Sequence, residues 1–486
     1  MHSKVGAALF VWLFARWTAC AFASNITCAC EEIAAAISSV SDVYWPLELQ
    51  YTTDIYHYAS SSTAQAACSV EPGTAEDLGI ILQILGKTRT PFGVKGGGHI
   101  MNPGWSSSTG VQIAMYRFNE INYDAASQSV DLGSGLIWDD VYAALEPYNV
   151  SVLGGRVSGI GVAGFSLGGG YAWKTNQYGL TVDNILAYEL VLPNGTIVDV
   201  SESSCPDLYF GLKGGFNNFG VVTKFTMKAW PQTEIWGGVI EIDGYLYAED
   251  FKSATANFST NVTDPKATVL LAYNYAIGVY LMTAIIFYDA PTPPRGIFDE
   301  FLAIPYLSSD VCTRSFLSLV QASPSNITSL ERGFFNTVSL QAITPTLLDV
   351  VHNESLYWGA LMSLDSGTLI SYDVEPFLPN ILTHGGPSAF PPTRSERYLP
   401  LNLYYSWTLP TSDDAMYDVL VKSADTITNA AIAEGQDISG AALYPNYALY
   451  GTAVEKMYGD NAGTLAALKA KYDPENVMGL AGGWKF

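Results

Sequence analysis

The residues best equipped for chemistry stand in Pro91-Phe92-Gly93-Val94-Lys95-Gly96-Gly97-Gly98-His99, an apolar strand that runs into three glycines and ends on a histidine. Glycines let a backbone turn sharply and present its N–H groups at close range, so such a run after a strand can hold an anionic group such as a pyrophosphate. His99 stands at the edge of that nest, where a neutral imidazole offers a base, a metal ligand or a nucleophile. Taken alone, the stretch is equally a tight turn with an incidental histidine.

A second cluster runs from Gly154 to Gly170 and contains Gly159-x-Gly161-x-x-Gly164, with Asp183 beyond it where a dinucleotide-binding fold places its ribose-binding acid. That fold needs the glycines to open a helix packed on a sheet. Here Gly168, Gly169 and Gly170 follow almost at once, and each glycine costs a helix interior roughly 1 kcal/mol relative to Ala. The cluster reads as a looping, glycine-lined wall against a flat ligand, with an NAD-dependent Rossmann dehydrogenase kept as the remote alternative.

Elements must position these loops. Leu78, Ile81, Leu82 and Leu85 recur with helical spacing in Thr74 to Arg89, and Thr74 with Asp77 resembles a capping box. This helix feeds the strand before His99. Strands are expected at Val111 to Met115, Ile121 to Tyr123 and Val130 to Gly133, then a helix carrying Ile137, Val141 and Leu145, and a hairpin turning at Pro193-Asn194-Gly195. Ala267 to Tyr288 is uncharged and long enough to cross a membrane. Its Asn274, Gly278 and many Tyr and β-branched residues favour two buried strands instead. Helices are expected at Arg295 to Ile304, Pro345 to Leu361 and Asp413 to Ala433, and strands near Gly367 to Tyr372 and Leu399 to Trp407.

The 486 residues exceed one typical core, so two domains are expected. Lys+Arg 23 against Asp+Glu 46 gives a net charge of −23, which argues against nucleic acid as a partner. Lys4, an apolar run from Val5 to Ala15 broken by Arg16, and Ala21-Phe22-Ala23 before Ser24 read as a signal peptide rather than a membrane span. Seven N-x-S/T sequons, at Asn25, Asn149, Asn194, Asn257, Asn261, Asn326 and Asn353, fit a secreted glycoprotein. Cleavage would remove Cys20 and leave Cys28, Cys30, Cys68, Cys205 and Cys312. A bridge from Cys28 or Cys30 to Cys68 is preferred, and the sequence does not choose between the two. No metal site is expected, since no His neighbours Cys28-x-Cys30.

Four motifs now fall in order: the Gly-Gly-Gly-His run, Gly159-Ile160-Gly161-Val162-Ala163-Gly164 continuing to Leu167-Gly168-Gly169-Gly170, Tyr178-Gly179-Leu180 with Asp183-Asn184, and Leu212-Lys213-Gly214-Gly215 leading to Asn217-Asn218-Phe219-Gly220-Val221-Val222-Thr223. Together they resemble the berberine-bridge-enzyme-like branch of the vanillyl-alcohol-oxidase flavoproteins. Tyr444-Pro445-Asn446-Tyr447 and Lys471-Tyr472-Asp473-Pro474-Glu475-Asn476 resemble that family's closing segment.

The resemblance implies an α+β, two-domain flavoprotein: a PCMH-type FAD-binding domain and a substrate domain with an antiparallel sheet flanked by helices. The expected divisions are a signal peptide over 1–23, the FAD domain over 24–233 with its core at about 66–233, the substrate domain over 234–440, and a segment over 441–486 that returns to the FAD domain. Lys95, Gly96, Gly97 and Gly98 would lie against FAD, and His99 matches the histidine that bonds to the flavin 8α-methyl. Gly159, Ile160, Gly161, Gly164, Gly168, Gly169, Gly170, Asp183, Asn184, Val222 and Asn446 complete the expected cofactor set. Many relatives attach the flavin a second time through a cysteine; that place falls on Val157, so a single covalent link is expected. Ile160 matches a position that gates oxygen, where a bulky residue resembles relatives that react poorly with it, so oxidase and dehydrogenase both stand.

The strand Leu399 to Trp407 resembles the one that carries a glutamate base in berberine bridge enzyme, yet it holds no carboxylate. Pro400 falls nearest the place of that base, and Asn402 would share its face because strand side chains alternate. The catalytic candidates are therefore Tyr444 and Tyr447, followed by Tyr404 and Tyr405 and by Asn402 on the strand, since a phenol beside a flavin can take an alcohol proton if its pKa is lowered. The expected activity is oxidation of an alcohol, carbohydrate or natural product, a small molecule, by hydride transfer to flavin N5 with molecular oxygen as acceptor. The alternative is a non-redox cyclase that keeps FAD as a scaffold.

Overall fold

The computed structural model describes residues 26–323 and 328–486. The expected leader with its cleavage site and the sequons at Asn25 and Asn326 lie outside them.

The amino-terminal half rests on two sheets. In the first, β1 (Asp42–Tyr44), β2 (Cys68–Glu71), β3 (Phe92–Lys95) and β4 (Val111–Ala114) lie in the order β1-β2-β4-β3, with β2 and β3 both parallel to β4. Parallel strands need a crossover, and α1 (Ala75–Thr88) supplies it between β2 and β3. Thr74 Oγ1 caps α1 by accepting from the Asp77 N–H at 3.1 Å, and Arg89 ends it in a left-handed conformation. The apolar stripe of Leu78, Ile81, Leu82 and Leu85 is buried in one cluster with Phe92, Val111 and Ile113. Cys30 bonds to Cys68, which settles the pairing left open above; Cys28, exposed, is free.

The second sheet is antiparallel. Its strands β5 (Ile121–Asp124), β6 (Ser129–Gly133), β7 (Ile185–Val191), β8 (Ile197–Ser201) and β9 (Val221–Lys228) lie in the order β5-β6-β9-β7-β8. Between β6 and β7, the Gly159–Gly164 run opens only α2 (Val162–Leu167), six residues long. A Rossmann dehydrogenase needs a long helix on a doubly wound parallel sheet, so that alternative is excluded.

The third sheet is built on β10 (Ile235–Asp243), β11 (Ala267–Ala276), β12 (Val279–Tyr288), β13 (Arg332–Leu340), β14 (Gly367–Val374) and β15 (Leu399–Trp407), in the antiparallel order β10-β12-β11-β14-β15-β13, with the short strands Ser308–Ser309 and Cys312–Arg314 pairing on the outer edge of β10. The long uncharged stretch is the β11–β12 hairpin, and no helix among the described residues is long and apolar enough to cross a membrane. Of the helices α3 (Ala248–Asn261), α4 (Pro345–Met362) and α5 (Asp413–Ala433), α4 packs on β11 and β14, α5 on β13 and β15, and α3 on α4. Side chains alternate across a strand, so the opposite face of this sheet is left for the first half of the molecule. The carboxyl end returns there: Ala481 bridges Phe92 of β3, and Trp484 Nε1 donates to the Pro445 carbonyl at 3.2 Å.

Candidate functional site

A cleft of about 570 Å³ separates the glycine loops from the free face of the third sheet. One wall is two loops pressed backbone to backbone. A Cβ on Gly97 would lie 2.5 Å from the Gly161 Cα, so neither position admits a side chain. Gly98 has φ +69°, a conformation side chains rarely adopt, and this turns the chain so that His99 enters the cleft. The His99 ring stacks on Tyr58, with centroids 4.2 Å apart and planes 21° from parallel. Its Nε2 is buried without a hydrogen-bond partner, and burial pushes the imidazole pKa down to about 4. The ring is therefore neutral at physiological pH, with a nitrogen committed to nothing in the protein.

The opposite wall follows from strand register. Glu241, Thr283, Ala272, Asp373 and Asn402 are successive cross-strand neighbours along one row of β10, β12, β11, β14 and β15. The next row brings Leu281, Asn274, Ser371, Tyr404 and Phe335 to the same face. Asp373 accepts from Ser371 Oγ at 2.7 Å and Asn402 Nδ2 at 2.9 Å, and burial pushes its carboxyl up to about 6. Tyr404 shares a hydroxyl chain with Thr328 and Tyr58, at 2.5 and 2.8 Å, which ties this wall to the ring beneath His99.

Between the walls lies a charged triad. The Tyr447 hydroxyl donates to Glu375 Oε1 at 3.0 Å and accepts from Arg156 Nη2 at 3.0 Å. Arg156 Nη1 approaches Glu375 Oε2 to 2.7 Å, in a geometry that is Coulombic rather than an aligned hydrogen bond. Both charges are buried, at 6% and 0% side-chain exposure. Burial and then Glu375 push the Tyr447 phenol well above 10, while Arg156 pulls it back. Tyr447 is thus protonated at rest, with an acceptor already aligned for its proton. Tyr444 differs: its hydroxyl accepts from Asn446 Nδ2 at 2.8 Å and the Gly170 N–H at 3.2 Å, and burial first of all raises its pKa to about 12.

Several sequence expectations need correcting. Lys95 points away from the cleft, where Nζ donates to the Thr53 and Asp54 carbonyls and the Tyr116 hydroxyl. Gly159 serves a turn, with its N–H donating to Asp139 at 2.8 Å. Gly168 and Gly169 are packed against Asn446, Phe390 and Tyr444, and Gly170 against Thr181, behind the wall. Asp183 pairs with Arg394 at 2.7 Å and accepts from the Leu180 N–H, and Asn184 donates to the Tyr178 and Leu180 carbonyls, so both brace the chain. Gly96, Gly97, Gly98, His99, Ile160, Gly161, Gly164, Val222 and Asn446 do line the cleft, as do Tyr404, Tyr444, Tyr447 and Asn402. Arg156, Glu375, Asp373 and Glu241 were missed. Arg156 was visible beside Val157 in the second glycine cluster; the carboxylates are marked only by sheet register and by a chain return of 72 residues from Glu375 to Tyr447.

The walls fit a flavin. His99 offers an orphaned, neutral nitrogen, and a Cβ on Gly164 would meet nothing within 4 Å, so the wall there leaves a hollow for a flat group. Val157, also on the wall, offers only an aliphatic side chain.

Comparison with known proteins agrees. An FAD binding domain model matches residues 66–201, and a berberine and berberine-like model matches 436–481. The FAD-dependent monooxygenase yanF of Aspergillus niger is 31% identical over 438 residues, 87% of this chain and 73% of the relative. Among solved structures, wild-type BBE-like 1 of Physcomitrella patens superimposes with a TM-score of 0.76 at 18% identity, over 92% of this chain and 97% of that one. Glucooligosaccharide oxidase from Acremonium strictum, described with a 6-S-cysteinyl, 8α-N1-histidyl FAD, gives 0.72 at 17% identity, over 92% and 97%. The fold is thus the α+β fold of two-domain flavoproteins, and the chain belongs to the berberine-bridge-like family of FAD-linked oxidoreductases.

Proposed function

We propose that this enzyme is secreted, carries FAD on His99 alone, and oxidises a small molecule at a C–H bond next to a hydroxyl. The observation that carries the reading is His99 Nε2, buried, neutral and unpartnered on the glycine-lined wall. Val157 supports a single link, since no thiol stands there. The Cys30–Cys68 disulfide fits an oxidising compartment and so supports export.

Bound there, FAD would supply a two-electron hydride acceptor at its ring, with molecular oxygen as the final acceptor. The protein manages the proton. Tyr447 accepts the substrate hydroxyl proton as its own proton passes to Glu375 along the 3.0 Å hydrogen bond. Arg156 stabilises the negative charge that crosses Tyr447 and Glu375 during this shift. Asn402 holds Asp373 rather than acting as a base, and Tyr404 fixes Tyr58 through Thr328. Tyr444 anchors Asn446 and the second glycine loop.

The test is acid denaturation of purified enzyme followed by peptide mapping. Yellow absorbance retained on the His99 peptide and lost in His99→Ala is expected, together with bleaching of the flavin by an alcohol without oxygen. Colour that washes out of the wild type overturns the covalent link, and a flavin that no alcohol or amine bleaches favours a scaffold role.

A further inference from the structure

The third sheet holds carboxyl groups that the proton relay does not use. Glu241 and Asp373 lie in one row, three strand spacings apart, which is about 14 Å. Both face the cleft. Asp373 stands on the strand that leads to Glu375, beside Tyr447, while Glu241 stands at the far end of the row. Glu241 accepts from Thr283 Oγ1 at 2.8 Å, and Thr283 in turn accepts from Asn274 Nδ2 at 2.9 Å, so the carboxyl is oriented but not neutralised. Glu331, also on the wall, accepts from Ser406 Oγ at 2.6 Å and from Thr368. Arg156 is the one Lys or Arg among the described residues lining the cleft, and Glu375 already neutralises it. An anion entering this space meets uncompensated like charge. Between the two ends the wall carries the aliphatic Ala272, Leu270, Leu281 and Ile285, and its polar side chains are already engaged, Thr283 with Glu241 and Asn274, and Ser371 with Asp373. Hydroxyls in the middle of an oligosaccharide would have to displace those existing hydrogen bonds or go without partners, which is costly.

We infer that the cleft selects an elongated, largely apolar molecule with a hydrogen-bond-donating, non-anionic group at each end, one met by Asp373 beside Tyr447 and the other by Glu241. This rests on the oxidoreductase reading above and names its substrate class. An ionised carboxylate is acceptor-only, so hydroxyl and ammonium ends share the required chemistry. The donors would sit roughly 9 to 14 Å apart, between the row length less two hydrogen bonds of about 2.8 Å each along the row and the row length itself when both bonds rise from the sheet.

The test uses flavin-loaded enzyme and three para-substituted phenols of equal length, with propyl arms ending in ammonium, hydroxyl or carboxylate; xylobiose is the sugar control. Dissociation constants are read from the flavin absorbance without oxygen. The ammonium and hydroxyl phenols are expected to bind at least about tenfold more tightly than the carboxylate phenol and xylobiose. Glu241→Gln, which keeps the Thr283 hydrogen bond and the side-chain shape, should bring the carboxylate phenol to within about threefold of the hydroxyl phenol. An ammonium arm favoured in the wild type and not in Glu241→Gln identifies a cationic end; equal binding of the two donor arms identifies a hydroxyl end. Equal affinity for all three phenols, tighter binding of xylobiose, binding of none, or no change in Glu241→Gln overturns the inference. A preparation without flavin, or with flavin that no substrate bleaches, overturns the parent reading instead, so the two failures are distinct.

Discussion

Asp373 of β14 stands directly across the sheet from Asn402 of β15, and Asn402 Nδ2 donates to its carboxylate at 2.9 Å. The strand that resembles the base-bearing one of the family thus holds an amide, and the buried carboxyl beside it comes from the neighbouring strand. Burial raises the Asp373 carboxyl to about 6 from an ordinary 3.8. The folded state then binds this proton more tightly than the unfolded chain, so stability is fully present below the unfolded value and falls as pH rises through about 6. The loss at neutral pH is at most about 3 kcal/mol. Asp373→Asn should accordingly raise the midpoint of thermal unfolding more near pH 7 than near pH 4.5. Equal shifts at both pH values would show that Asp373 does not titrate in this window.

The Tyr447–Glu375 hydrogen bond predicts non-additive kinetics. If the phenol takes a proton only by giving one to Glu375, Tyr447→Phe and Glu375→Gln each interrupt the same transfer. Each should slow flavin bleaching by about 10²- to 10⁴-fold, the usual scale of acid–base assistance, and the double variant should be little slower than the worse single one. Rapid-mixing measurements without oxygen decide it. A Tyr447→Phe enzyme that bleaches at the wild-type rate removes the phenol from the reaction.

Much of the chain was legible because its local signals are strong. Thr74 with Asp77 marked the start of α1, the uncharged Ala267 to Tyr288 folded as the hairpin its Asn274 and Gly278 suggested, and Leu399–Trp407 and Asp413–Ala433 took the bounds their periodicity gave. Glycine content alone was less informative. Gly97 and Gly161 need their missing side chains for close approach at the wall, whereas Gly168 to Gly170 need theirs for packing behind it, and both look alike in sequence. Lys95 was misread because strand alternation turns it inward from a glycine loop that faces the cleft. Asp373 was hidden because its role depends on which strand β15 pairs with, a long-range choice that no local pattern encodes.

The buried Arg156–Glu375 pair predicts an asymmetric stability cost. Removing one member leaves an uncompensated buried charge, worth about 3–5 kcal/mol, while replacing both with apolar residues of similar size costs far less. Arg156→Leu should thus be markedly less stable to urea than the wild type, and Arg156→Leu combined with Glu375→Leu should recover most of the loss. Both variants should be inactive, so only the denaturation curves discriminate. A double variant as unstable as Arg156→Leu would mean that Arg156 acts through its contacts with the Trp173 and Phe377 rings, 6.0 and 5.6 Å away, and not through charge.

Val157 predicts a gain of function. It lines the cleft next to Arg156, in the loop pressed against the Gly-Gly-Gly-His loop to form one wall. A thiol placed there would have a guanidinium one residue away, which favours the reactive thiolate, although Glu375 neutralises part of that charge. His99→Ala alone should release all of its flavin in acid. His99→Ala carrying Val157→Cys should keep a fraction of the colour on the polypeptide, on the peptide that contains residue 157, after incubation with FAD under air. Iodoacetamide treatment before FAD should abolish the retention, which separates a thiol bond from tight non-covalent binding. If the double variant releases its flavin as completely as His99→Ala while remaining folded, Val157 does not face the reactive edge of the ring, and the absence of a second link proposed here has a geometric cause rather than the lack of a thiol.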